Sequence, residues 1–462
     1  MSKSHLSPDA VFASNQAEQL ALWNALFGTV QHFFGGFTAL FAGIHDPRHA
    51  AYITYPLAAV LSTGLLLFLF RLGARRQIDV WLRDNAGVAA KFAALFGVAQ
   101  CPDNDTVHVL CRRLKPAEVQ EAQCRLVERL IRTKVLHPFR LLDYYWVVAI
   151  DGTGVLTFAE RHCEHCLTRT HRGQTLYYHP VLEAKLVSPN GFTFSLMTEF
   201  IENPGEHPTK QDCELKAFYR LAARLKQRFP RLPLCLSLDA LFAGGPTFAL
   251  CARYDWRYVI VLQADDLPSV HREFVALTAM PAAAHLRLRT GAGGRITQVL
   301  DWVNDIAYVD SERREHQLNV LRCVDQEQQA DGTLTTTRFM WITNLTVKAN
   351  QAATIANQGG RIRWKAENEG FNVQKNGGFA LEHIYSHDRN AAQVLYLLLQ
   401  MAHLLFQLVC FGSLLRQAFP RGVGSARDLA RRLLEAWRNL CVSAEELLRL
   451  RTRRFQVRFD SS

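Results

Sequence analysis

Tyr144-Tyr145-Trp146-Val147-Val148-Ala149-Ile150-Asp151-Gly152 is a continuous apolar run that stops at a carboxylate, and Leu234-Cys235-Leu236-Ser237-Leu238-Asp239 repeats the pattern further along the chain. Short apolar runs rich in β-branched and aromatic residues predict strands buried on both faces. One aspartate closing such a strand is ordinary turn chemistry. Two of them, read with the downstream segment Arg363-Trp364-Lys365-Ala366-Glu367, predict acids from separate elements that share two hard divalent cations, an arrangement that makes and breaks phosphodiester bonds.

Around the first run the pattern predicts two more strands, 176–187 and 192–200, joined by the turn Pro189-Asn190-Gly191. An amphipathic helix over 211–229 follows, with Leu215, Phe218, Tyr219, Ala222 and Leu225 on one face, then the strand 234–238, a short helix over 240–254 and a fifth strand over 256–262. The order is βββαβαβ, with the aspartates on the first and fourth strands. Between 267 and 345 the helix-strand alternation stops and the residues read as a β-rich insertion with strands 295–300, 316–324 and 333–342, the last two joined through Asp331-Gly332. Helical periodicity resumes at Gln351, so that 346–420 completes the core and carries the third acid, and 421–462 is a basic helical tail. Residues 1–140 form a helical N-terminal region, whose Arg112, Arg113, Lys115, Arg125, Arg129, Arg132 and Lys134 are candidate DNA contacts or a solvated helix face.

With 462 residues, 49% of them hydrophobic, the chain has ample material for a packed α/β core and is not a disordered protein. A net charge of +11 and a pI near 9.2 point to a polyanionic partner. Residues 1–8 are polar and lack a signal-peptide core, and the eleven cysteines are too dispersed for a disulfide scaffold, so a reducing cytoplasm is expected. The apolar stretch 55–70 is shorter than the roughly 20 residues that a span needs, and 394–415, interrupted by Gln400, His403, Gln407 and Gly412, reads as a buried core helix; no membrane is expected.

In the third segment Arg363 and Glu367 are four residues apart and share a helix face, whereas Glu369 points roughly 200° away from Glu367 at about 100° per residue. Only one of the two glutamates can face the aspartates.

The strand order, with acids on its first and fourth strands, resembles the ribonuclease H-like fold. The Arg363-Trp364-x-x-Glu367 core makes the resemblance more specific: residues 144–415 are similar to DDE transposases of bacterial insertion sequences, in the subgroup with a β-strand insertion before the last acid and a Tyr-Arg-Glu-Lys signature. Two positions depart from that signature, since Gly360 stands where its Tyr would be and Gln374 where its Lys would be, with Lys375 the nearest substitute. The resemblance implies Asp151, Asp239 and Glu367 as catalytic residues and as ligands of two Mg²⁺ (or Mn²⁺) ions. One ion would activate the water that nicks the element's end, and the other would stabilise the leaving oxygen. Arg363 and Lys375 would clamp phosphates, and Trp302, in the insertion, would hold a flipped base if it is not simply core. The implied partner is double-stranded DNA, both transposon terminal repeats and target, bound by a homodimer at the nucleoid. Two rival classes stay open: a metal-dependent nuclease of the same fold without strand transfer, and a non-catalytic DNA-binding derivative.

Close to the first acid, His162-Cys163-Glu164-His165-Cys166 contains a Cys-x-x-Cys pair of zinc-ligand spacing. A structural Zn²⁺ on Cys163 and Cys166 needs further ligands, for which His165, His171, His179 and Cys213 are candidates; the alternative is a pair of reduced thiols.

Overall fold

The computed structural model describes residues 8–205, 209–329, 331–440 and 443–460. A single ten-stranded mixed sheet runs through it, with helices at both ends of the chain. The strands are β1 (Trp146–Phe158), β2 (Leu167–His171), β3 (Gln174–Val187), β4 (Thr193–Phe200), β5 (Leu234–Leu238), β6 (Arg257–Val261), β7 (Ala284–Thr290), β8 (Ile296–Val309), β9 (Glu315–Gln328) and β10 (Leu334–Thr343). Their order is β2-β3-β1-β5-β6-β10-β9-β8-β7, with β4 also paired to β3. β1 is antiparallel to β3 and parallel to β5, and β5 is parallel to β6.

Side-chain alternation divides the sheet between two cores. Val147 and Ala149 of β1, Cys235 of β5, Val259 of β6 and Trp341 of β10 enter one cluster with Ile355, Ala356, Ile362 and Ala366. Val148, Ile150, Leu236, Leu238, Ile260 and Ile342 enter the other. A strand whose successive residues are all buried reads as an unbroken apolar run, which is why these strands were legible.

Several expectations need correction. Asp151 does not end its strand: β1 continues through Gly152 and Gly154 to Phe158, forming a long ladder with β3. A helix, Pro268–Thr278, opens the β-rich region, and β2 and β7 are additional strands. The insertion extends the core sheet, because β10 pairs antiparallel with β6 through Trp341, Ile342 and Thr343.

The terminal regions pack together. Trp437 of the Ala426–Asn439 helix lies against Trp23 and Phe37, and Phe459 stacks on Phe33 of the Pro8–Phe34 helix. Of the N-terminal cations considered for DNA, Arg112 pairs with Asp388 at 3.3 Å, Lys115 with Glu118 at 3.6 Å, Arg125 with Glu121 at 3.6 Å and Arg132 with Glu128. These are internal partners.

The Arg389–Phe411 helix is long and apolar enough to cross a membrane, but 89% of its apolar window is buried inside the protein. Its polar interruptions face partners: Gln407 accepts from the Thr193 amide at 2.7 Å, while Gln374 donates to Gln400 at 2.7 Å and lies 2.9 Å from His403. The Leu57–Leu69 helix, at 13 residues, spans about 20 Å, short of a hydrocarbon core of about 30 Å.

Candidate active site

The register of β1 and β5 brings the two aspartates together. Ala149 pairs with Ser237, so Asp151 and Asp239, each two residues further on, fall side by side in parallel strands. Asp239 then caps a short 3-10 turn, accepting from the Leu241 amide at 3.1 Å, and Asp151 accepts from the Gly152 amide at 3.0 Å.

The third element is laid over these strands by a buried bond in which the Ser237 hydroxyl donates to the Gly359 carbonyl at 2.6 Å. It is not an ordinary α-helix. Residues Ile355–Gly360 and Ala366–Asn372 are π-helical, with the 3-10 turn Arg361–Arg363 between them. Wide and tight turns of this kind shift side chains off the regular helical period, and Arg363 reaches Asp151, with Nη1 3.3 Å from Oδ2.

Electrostatics tie the group together. Burial pushes the Asp151 carboxyl up to about 6; Arg363 opposes this, while the charges of Asp239 and Glu367 add to it. Asp239 is also raised, by burial first, with Arg363 pulling it down. Glu369 is tied instead to Lys365, 3.1 Å away. Glu367 is therefore the glutamate that shares the field of the aspartates.

A fourth carboxylate, not singled out from sequence, belongs to the same place. Glu214 opens the helix Glu214–Arg228, and its Oε1 lies so close to Gly152 that a side chain there would force the carboxylate to move. Burial raises its carboxyl first, and Asp151 and Asp239 raise it further. An acid in the first turn of a helix is common for dipole reasons alone, so the sequence held no signal beyond its position. Lys185 is the second omission. It is fully buried on β3, 3.7 Å from Glu183 and over the ring of Phe371, and its charge acts on Asp151.

Other expected contacts are elsewhere. Lys375 turns to Glu382 at 3.1 Å. Gln374, which stands where the signature has Lys, is buried in the glutamine-histidine network beside the Arg389–Phe411 helix. Trp302 is only 7% exposed and packs in the second core cluster with Leu300 and Leu321, so a base could not stack on it without opening that core. Trp364, beside Arg363, is 58% exposed. Cys163 and Cys166 lie in the loop after β1, where His179 of β3 joins them.

Gly360 explains the missing Tyr physically. A Cβ there would fall on the indole of Trp341, closer than atoms pack, and the ring is itself buried and stacked on Phe339. Gly360→Ala is expected to destabilise the protein by about 1–3 kcal/mol through overpacking, measurable by urea unfolding; an unchanged midpoint would mean that the indole moves freely.

The side chains of Asp151, Asp239, Glu367 and Glu214 are all hard-oxygen donors, although among the described residues only Cys163, Cys166 and His179 bring three ligand atoms within 4.8 Å of one another. Such oxygen donors fit Mg²⁺ or Mn²⁺. Comparison with protein-family models and with curated proteins finds no match for this chain.

Proposed function

We propose that the protein is a DNA transposase of the DDE type, built on a ribonuclease H-like core. The observation that carries this reading is that Asp151, 3.3 Å from Arg363, feels the charges of Asp239 and Glu367, which come from two other elements. The spatial order β4-β3-β1-β5-β6, with one antiparallel pair on each side of β3 and a parallel trio β1-β5-β6, supports the core assignment. Asp151, Asp239 and Glu367, with Glu214 beside them, would hold two Mg²⁺ ions, which when bound supply an activated water and stabilise the leaving oxygen. Arg363, paired with Asp151 at 3.3 Å, would be free to bind a DNA phosphate if metal ions neutralised the acids, and its planar guanidinium suits bidentate phosphate binding. The basic balance of the chain favours terminal-repeat and target DNA as substrates, held by a dimer that synapses two ends.

The second reading is a metal-dependent nuclease that cuts without joining. It is favoured by Gly360, which has no room for the signature Tyr, and by Lys375, which turns to Glu382 and away from its expected role as a phosphate clamp. A strand-transfer assay with Mg²⁺ and DNA carrying the element's own ends separates the readings, because only a transposase yields joined products.

Glu367→Gln is expected to lower Mg²⁺-dependent cleavage by on the order of 10³-fold, the loss of several kcal/mol of transition-state stabilisation. Glu369→Gln, which removes only the partner of Lys365, is expected to stay within about threefold of wild type, well under 1 kcal/mol. The reverse ranking in a single-turnover cleavage assay would transfer the role to Glu369.

A further inference from the structure

Cys163, Cys166 and His179 form a second cluster, chemically unlike the carboxylates. Sγ of Cys163 and Sγ of Cys166 lie 3.6 Å apart, and Nε2 of His179 lies 3.3 Å from each. A tetrahedral zinc with Zn–S near 2.3 Å and Zn–N near 2.0 Å sets its ligand atoms about 3.8 Å (S to S) and about 3.5 Å (S to N) apart. The observed triangle fits those edges to within about 0.2 Å, the tolerance that ligand distances allow.

The backbone around it is built for the purpose. The Cys166 amide closes a turn on the Cys163 carbonyl at 3.4 Å; burial raises the Cys163 thiol first, and the backbone amides of His165 and Cys166 act against it, favouring the thiolate. Amide donors of this kind stabilise a metal-bound thiolate and fix its direction. Asn203 holds the turn from behind: its side chain donates to the Cys166 carbonyl at 2.8 Å, its amide to the His165 carbonyl at 3.1 Å, and its own carbonyl lies 2.9 Å from Nδ1 of His165. His165 is thereby turned away, which leaves His179 as the third ligand. His179 sits on β3 opposite Leu156 of β1, so the cluster ties the loop after β1 to the neighbouring strand.

No fourth Cys, His, Asp or Glu joins the group among the described residues. Cys163 and His179 instead line a cavity of about 130 Å³, shared with His162, Glu202 and Arg389. That volume holds several water molecules.

We propose that Cys163, Cys166 and His179 bind one Zn²⁺, with the fourth position filled by solvent from this cavity. Binding releases the two thiol protons to water and changes no oxidation state. Soft thiolates favour Zn²⁺ over Mg²⁺ here. The zinc clips the far end of the strand that carries Asp151, and the inference stands whether or not the carboxylate site is catalytic.

The test uses the full-length chain with Zn²⁺ or Co²⁺ alone. Wild type dialysed against Zn²⁺ is expected to retain about one equivalent after removal of free metal, as tetrahedral Cys/His sites do. Co²⁺ is expected to give the near-ultraviolet thiolate charge-transfer band and the intense visible bands of tetrahedral cobalt. Cys163→Ser with Cys166→Ser is expected to lose both, and Cys213→Ser to keep both. The proposal is overturned if folded wild type binds neither metal, if the Co²⁺ spectrum lacks the thiolate band, or if a thiol count shows Cys163 and Cys166 joined as a disulfide in the protein as purified. The wild-type spectrum and thiol count decide the matter even if the double variant fails to fold.

Discussion

Asp151→Asn is expected to abolish Mg²⁺-dependent DNA cleavage, by on the order of 10³-fold or more, and at the same time to stabilise the metal-free protein at neutral pH. The second effect follows from the carboxyl's position at about 6 against an ordinary 3.8. Between those values the folded chain holds a proton that the unfolded chain has released, so stability falls as pH rises from about 4 to about 6 and the full penalty stands at pH 7. Two units correspond to at most about 3 kcal/mol. An uncharged amide escapes this penalty. In EDTA the variant should therefore melt above wild type at pH 7.5, the two should converge below about pH 4, and the gap should close when Mg²⁺ is added to wild type. Equal cleavage by the two proteins would remove Asp151 from the chemistry. A stability gap that ignores pH would remove the electrostatic account.

Glu183→Ala is expected to cost the fold about 3–5 kcal/mol, the penalty of stranding a buried charge. Glu183 and Lys185 are both fully buried, 3.7 Å apart. The hydroxyls of Ser195, Thr198 and Tyr396 all donate to Glu183, the last at 2.9 Å, and Lys185 donates to Gln400 at 3.3 Å. Without Glu183 the Lys185 ammonium keeps Gln400, the Phe371 ring and the more distant charge of Asp151. Glu183→Leu combined with Lys185→Met should recover most of the loss, since replacing both ions by apolar groups of similar volume is often neutral. Urea unfolding of the two singles and the double reads the coupling; additive losses would show that the pair does not act as a unit.

These two sites also mark what the residues disclosed in advance. Strands with a continuous buried stretch, such as Leu234–Leu238 and residues 258–260 of β6, were legible because an unbroken apolar run has few other readings. The hairpin of β3 and β4 and the aspartates at their strands followed from turn residues and from where the runs stopped. Glu183 and Lys185 were not legible. On a strand their alternation reads as a solvated face, and only the Arg389–Phe411 helix, distant in sequence, covers it. The stop of the apolar run at Asp151 looked like a strand's end, whereas the strand runs on beside Glu214 and Pro180. The stretch carrying Arg363 and Glu367 was readable in composition but not in geometry, because a uniform helical period cannot anticipate alternating π and 3-10 turns that depend on Gly359 and Gly360 fitting under Val259 and Trp341. In the insertion, Leu286 and Leu288 alternate with arginines in β7, a half-buried pattern weaker than a fully apolar run.

The pairing of β10 with β6 has a bearing on evolution and engineering alike. A graft hydrogen-bonded into the central plate cannot be trimmed away like an appendage: excising 267–345 would bare the amides and carbonyls of Val259, Ile260 and Val261 along a hydrophobic rim, inviting strand-to-strand aggregation between molecules. Shortened forms of this chain would need a replacement edge, such as a charged or proline-bearing strand, before they could remain monodisperse.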